Sequence, residues 1–98
     1  MIVRIVKMTF REEEVPEFLA NFHEHKAQIR AFSGCERLLL LKDLNKPNIY
    51  FTYSWWQSEE DLERYRHSSL FKGVWAFTKA LFAEKAEAWS TEEIEALR

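Results

Sequence analysis

Four aromatic residues, Trp56, Tyr65, Phe71 and Trp75, lie close together in the chain. Rings of this kind either form ordinary core or wall a dry, mostly apolar pocket for a flat ligand. Lys26 is the most informative charge. At ~100° per residue it falls in the middle of a helical stripe made by Val15, Leu19, Phe22 and Ile29. An ammonium there either snorkels past the apolar face to water or stabilises an enolate or phenolate in a pocket. Thr78 sits at the centre of a second apolar stripe, where its hydroxyl either meets a ligand or bonds back to the Val74 carbonyl. His23 and His25 are two apart and flank the first stripe on opposite sides, so they cannot share a metal as an i, i+4 pair would, and no metal site is expected. His67 is either a base near a pocket mouth or a solvated loop histidine. No glycine-rich phosphate loop and no local Ser-His-Asp signature is present.

The elements that must position these groups belong to a small chain. Its 98 residues carry 14 Lys+Arg against 16 Asp+Glu, which predicts one domain over residues 1–98 with no separate cofactor domain. With 47% hydrophobic and 15% aromatic residues the chain is too apolar to be disordered. That aromatic content is high for this size, so some rings are expected to face a partner or a ligand. A net charge of −2 without a block of five like charges argues against nucleic acid or an anionic membrane surface. No apolar run is long enough to span a bilayer and no signal-peptide core is present, so a cytoplasmic protein is expected. The lone Cys35 cannot form an internal disulfide and reads as a packing residue.

Residues 2–10 alternate as a strand apolar on both faces, with Ile2, Val6, Met8 and Phe10 on one side, Val3 and Ile5 on the other, and Arg4 and Lys7 interrupting each set. Glu12, Glu13, Glu14 and Pro16 mark a helix start near Glu13 or Glu14, and Ser33-Gly34 its stop. Residues 35–42 and 49–56 read as a hairpin closed by the loop 43–48. Ser58 and Asp61 form a capping box for a short helix bearing Leu62 and Tyr65. After a break at His67-Ser68-Ser69, whose serines can cap the next segment, a long helix carries Leu70, Phe71, Val74, Trp75, Phe77, Thr78, Leu81 and Phe82 as a wide inward stripe, expected to be more deeply buried than the first helix. Residues 85–90 read as a fourth strand, and Ser90 with Glu93 as the cap of a short C-terminal helix bearing Ile94 and Leu97. The order is β-α-β-β-α-β plus a tail, an α+β ferredoxin-like fold whose helices cover one face of an antiparallel sheet. The strands are apolar on both sides, so a second sheet is expected to cover the bare face.

The run from Trp56 to Phe71 has a Trp ending the third strand, a polar cap at Ser58, Leu62 and Tyr65 in the short helix, and Ser69 and Phe71 starting the long one. With Gly34-Cys35 leading into the second strand, it resembles the antibiotic biosynthesis monooxygenase-like family of dimeric α+β barrels, over residues 1 to about 91. The resemblance implies a homodimer whose sheets close into a barrel. Parity puts Thr52, Ser54 and Trp56 on one face of the third strand and Phe51, Tyr53 and Trp55 on the other. By the resemblance the former looks at the helices, while Phe51, Tyr53 and Trp55 face the partner sheet. The implied activity is a cofactor-independent monooxygenase that oxidises a small aromatic, quinol or polyketide-like substrate with O₂, without metal or flavin. Trp56 is the implied catalytic residue, and the family's Asn four positions earlier is Thr52 here. Lys26 would then replace the missing amide as a second catalytic group. Thr52, Tyr65, Phe71, Trp75 and Thr78 are the expected substrate contacts. Haem-degrading relatives use an Asn, a Trp and an axial His at positions matching Lys7 or Met8, Tyr65 and Trp75, so haem degradation is not expected. The alternative, favoured by Thr52, is a non-catalytic dimeric small-molecule-binding or accessory protein.

Overall fold

The alternating N-terminal segment becomes an inner strand because both of its edges find partners. In the computed structural model, which describes residues 1–97, β1 (Ile2–Thr9) pairs antiparallel with β3 (Ile49–Trp56) and with β4 (Glu87–Glu92). β2 (Cys35–Lys42) pairs with the other edge of β3, giving the order β2-β3-β1-β4. One 3₁₀ turn, Glu12–Glu14, leads into α1 (Val15–Arg30), and α2 (Glu59–Arg66) and α3 (Ser69–Lys79) connect β3 to β4. This is the expected α+β, ferredoxin-like antiparallel sheet, with its second crossover helix broken in two.

Register decides which side chains can form a site. Ile2 opposes Trp56, Arg4 opposes Ser54, Val6 opposes Thr52 and Met8 opposes Tyr50, so these eight share the face that the helices cover. Val3, Ile5, Tyr53 and Trp55 share the other.

Local chemistry explains the turns. Pro16 falls in the first turn of α1, where its missing N–H leaves no bond unmade. The Asp43 carboxylate accepts the N–H groups of Asn45 and Lys46, at 2.9 Å each, and shapes the hairpin loop. Ser58 Oγ accepts the Asp61 N–H at 3.1 Å and donates to the Asp61 carboxylate at 3.0 Å, while Ser68 Oγ accepts the Phe71 N–H at 3.1 Å. α1 ends at Arg30, before the expected glycine stop. Gly34 instead makes the turn into β2 at φ +91°, where a Cβ would collide with Asp61.

One of two buried clusters lies around Phe10. Phe10 is fully buried, with its ring 4.2 Å from Phe18 and 6.1 Å from Tyr50, and Met8 and Leu81 close the cluster. This stack turns α1 so that Phe18 and Ile29 face inward, and Leu19 and Lys26 rotate to the exposed flank. The expected placement of Lys26 at the centre of the buried stripe is therefore incorrect.

Two further expectations fail. α3 is not the more deeply buried helix. Thr78 is its one fully buried residue and Phe77 is exposed, because α3 stands off the sheet instead of packing flat on it. The short C-terminal helix does not form. Ser90 and Glu92 lie in β4, opposite Arg4 and Ile2, and the Ser90 hydroxyl accepts a bond from Arg4 at 2.9 Å instead of capping a helix. The Glu93 N–H donates to the Met1 carbonyl at 2.9 Å, which extends the pairing, and residues 93–97 are neither helix nor strand.

Candidate functional site

Where α3 stands off, a cavity of about 250 Å³ opens between the helices and the sheet. Its floor comes from residues of all four strands: Arg4, Val6 and Met8 of β1, Leu38 of β2, Thr52 and Ser54 of β3, and Ala88 of β4. Small Ala86 and Ala88 leave room on the β4 side. The roof is Tyr65 and Arg66 of α2 and Phe71, Val74, Trp75 and Thr78 of α3, and Asn21 and Phe22 of α1 close one side.

The structure brings together five of the residues anticipated as substrate contacts: Thr52, Tyr65, Phe71, Trp75 and Thr78 all line the cavity. Their rings form a ladder, with Tyr65 to Phe71 at 5.2 Å edge to face and Phe71 to Trp75 at 5.9 Å nearly parallel. The Thr78 hydroxyl donates to the Val74 carbonyl at 2.7 Å, so its proton is committed within the helix and its methyl group and oxygen lone pair are what a ligand could meet.

The two residues anticipated as catalytic stand elsewhere. Lys26 is exposed on α1 and does not line the cavity. Trp56 is fully buried one layer behind the wall, stacked on Tyr65 at 4.9 Å and donating its indole N–H to Ser54 Oγ at 2.9 Å. It can reach the cavity only through those two neighbours. Ser54 has no acceptor for its own proton among the described residues, so the Trp56 bond leaves that proton available to a guest, and accepting a bond makes a hydroxyl a better donor.

Burial sets the ionisation of these groups. It pushes the Tyr65 phenol far above its usual range, with the nearby Cys35 adding to the shift, so Tyr65 serves as a neutral wall and not as a base. Burial likewise raises the Cys35 thiol in spite of Arg30, which keeps it unreactive. His67 is exposed, and no group of three His, Cys, Asp or Glu side chains that could hold a metal comes together among the described residues.

Arg4, Ser54, Arg66 and Asn21 went unassigned in the sequence. Ser54 and Arg4 carried a legible signal, since both share strand parity with the pocket face. Asn21 lies on the flank that α1 turned inward, and its amide nitrogen is buried without a partner. No periodicity in the sequence reveals that rotation.

Phe51, Tyr53 and Trp55 lie on the opposite face of the sheet, each half-buried. The Arg37 guanidinium sits 4.8 Å above the Trp55 ring, whose N–H donates to Glu93 at 3.2 Å, and Leu41 and Trp89 are exposed nearby. No helix among the described residues is long and apolar enough to cross a membrane.

Residues 1–75 match the model of the antibiotic biosynthesis monooxygenase family, and the chain belongs to that family. Solved structures agree on the fold. A conserved protein from Methanosarcina mazei Go1 is 20% identical with a TM-score of 0.88, over 95% of this chain and 93% of the other. A candidate antibiotic biosynthesis monooxygenase from Nitrosomonas europaea is 15% identical with a TM-score of 0.89, over 97% and 100%. A similar candidate from Caulobacter crescentus CB15 is 17% identical with a TM-score of 0.89, over 96% and 90%. No curated protein matches the sequence.

Proposed function

We propose that the protein is a cofactor-independent monooxygenase that oxidises a small aromatic, quinol or polyketide-like substrate with O₂ in the cavity beneath α3. The observation that carries this reading is the pairing of an aromatic roof, Tyr65, Phe71 and Trp75, with the hydroxyl-bearing floor of Thr52 and Ser54. Dioxygen reacts with electron-rich anions, so the site must hold a phenolate or enolate dry and stabilise its charge. Ser54, its oxygen already bonded by the Trp56 N–H, donates to that oxyanion, and Thr52 stands beside it. The rings hold the flat body of the substrate. For an anthrone-type substrate the atoms balance without a cofactor: the ring CH₂ conjugated with the oxyanion gives up four electrons and two protons, one oxygen atom enters as a carbonyl and the other leaves as water. Trp56 is then a positioning residue that acts through Ser54.

The working unit is a homodimer in which a second copy covers Phe51, Tyr53 and Trp55, a reading supported by their half-buried rings and by exposed Leu41 and Trp89 on the same sheet. Sedimentation at micromolar concentration checks this, and a stable monomer would remove the second copy from the scheme.

Oxygen uptake with a panel of hydroquinones and anthrones tests the activity. Uptake above buffer is expected, with kcat falling by up to about 10²-fold in Ser54→Ala and following it down in Trp56→Phe, while Lys26→Met changes nothing. Saturable binding without uptake would establish instead the non-catalytic binding module that Thr52 favours.

A further inference from the structure

Only two charged residues line the cavity among the described residues, and both are arginines. Arg4 rises from the floor on β1, and Arg66 stands at the mouth on α2. A strand residue facing the helices is ordinarily apolar, and Arg4 is flanked on that face by Ser54 and Ser90, with the serines leaving space for its side chain. The Arg4 guanidinium is half-buried, donates a bond to Ser90 at 2.9 Å, and has no carboxylate within salt-bridge distance among the described residues. Arg66 is held at 2.8 Å by Glu63, which is exposed and outside the cavity wall. The two arginines are thus set against one carboxylate, which leaves one positive charge unbalanced among the described residues.

We propose that the natural ligand of this cavity is an amphipathic monoanion, its carboxylate or equivalent acidic oxygen held by Arg4 and Arg66 and its flat apolar body lying under the rings of α3. This rests on the reading of the cavity as the substrate site and narrows the substrate class. A guanidinium offers parallel N–H donors that match a carboxylate, and a half-desolvated site strengthens that pairing. Burial, and next the neighbouring Arg66, disfavour the charged form of Arg4 and Glu63 offsets them only in part, so an anion set between the two arginines favours that form. At about 250 Å³ the cavity lies just below the roughly 300–1,000 Å³ of typical ligand sites, which limits the body to a small ring system.

The test compares 2-naphthoate with its neutral isostere 2-naphthamide, titrated calorimetrically into the full-length protein. The carboxylate is expected to bind at least about ten-fold more tightly than the amide, an advantage that shrinks with added salt. In Arg4→Met, checked for native circular dichroism, the preference should fall to about three-fold or less. Arg66→Gln, at the exposed mouth and safe for folding, should remove part of it. Equal affinities in the wild type, no binding of either compound at millimolar concentration, or full preference retained in both variants would overturn the inference. Anion preference without oxygen uptake leaves it standing and removes the oxygenase. Uptake with neutral quinols and no anion preference does the reverse.

Discussion

Phe10 and Trp75 are both large aromatics facing the same side of one sheet, and they do opposite things. Phe10 has no exposed surface, because Phe18, Tyr50 and Phe82 close on it from three directions. Trp75 stacks with Phe71 and meets Phe82 at 5.6 Å, yet its inner face looks over an open cavity. The difference arises in the helices. α1 lies against the sheet through Phe18 and Ile29, whereas α3 is held off it, bridging from the capped break at Ser68 to the turn at Leu81. Aromatic residues stabilise the fold on one side of Phe82, around Phe10, and shape a site on the other, around Trp75.

The contrast predicts its own largest effect. Phe10→Ala should cost about 3–5 kcal/mol in denaturant unfolding, the usual loss for a sealed aromatic. Trp75→Ala should cost about 1 kcal/mol or less while weakening binding of an aromatic guest. Equal losses would mean that the two surroundings are not different in kind. Next in size is the hinge between α2 and α3. Ser68→Ala removes the bond to the Phe71 N–H, and the helix should lose about 1 kcal/mol, with amide exchange rising in the first turn of α3 before anywhere in α1.

The smallest effect concerns Asp61, in the first turn of α2 against Gly34. The bond from Arg64 at 2.7 Å, and then that from Ser58, hold its carboxyl below the usual carboxylate range. The unfolded chain therefore takes up this proton first as pH falls. The contribution is complete above about pH 4 and is lost as pH drops through the lowered folded value. Urea midpoints of the wild type and Asp61→Asn between pH 7 and 2 should differ slightly at neutral pH and converge in acid.

The strands, the hairpin, the breaks between helices and the caps at Ser58 and Ser68 were legible because they follow local rules: alternation, turn residues and orphan N–H groups seeking acceptors. Strand parity also separated the pocket side, Thr52 and Ser54, from the outer side, Phe51, Tyr53 and Trp55. Lys26 and the C-terminal helix were misread for one common reason. In each, a local pattern lost to a tertiary partner: the Phe10 stack turned α1, and β1 took Ser90 and Glu92 into the sheet.

By itself, then, the sequence determined the order of strands and helices up to β4 and the two faces of each strand, since these rest on contacts between near neighbours or on the period of the chain, while the run from Trp56 to Phe71 carried the resemblance to the family. The rotation of α1, the gap beneath α3, the retreat of Trp56 behind Ser54 and the meeting of Arg4 with Arg66 were decided by packing alone. Each depends on how surfaces far apart in the chain fill space against one another, and no spacing along the chain records whether they close or leave a cavity.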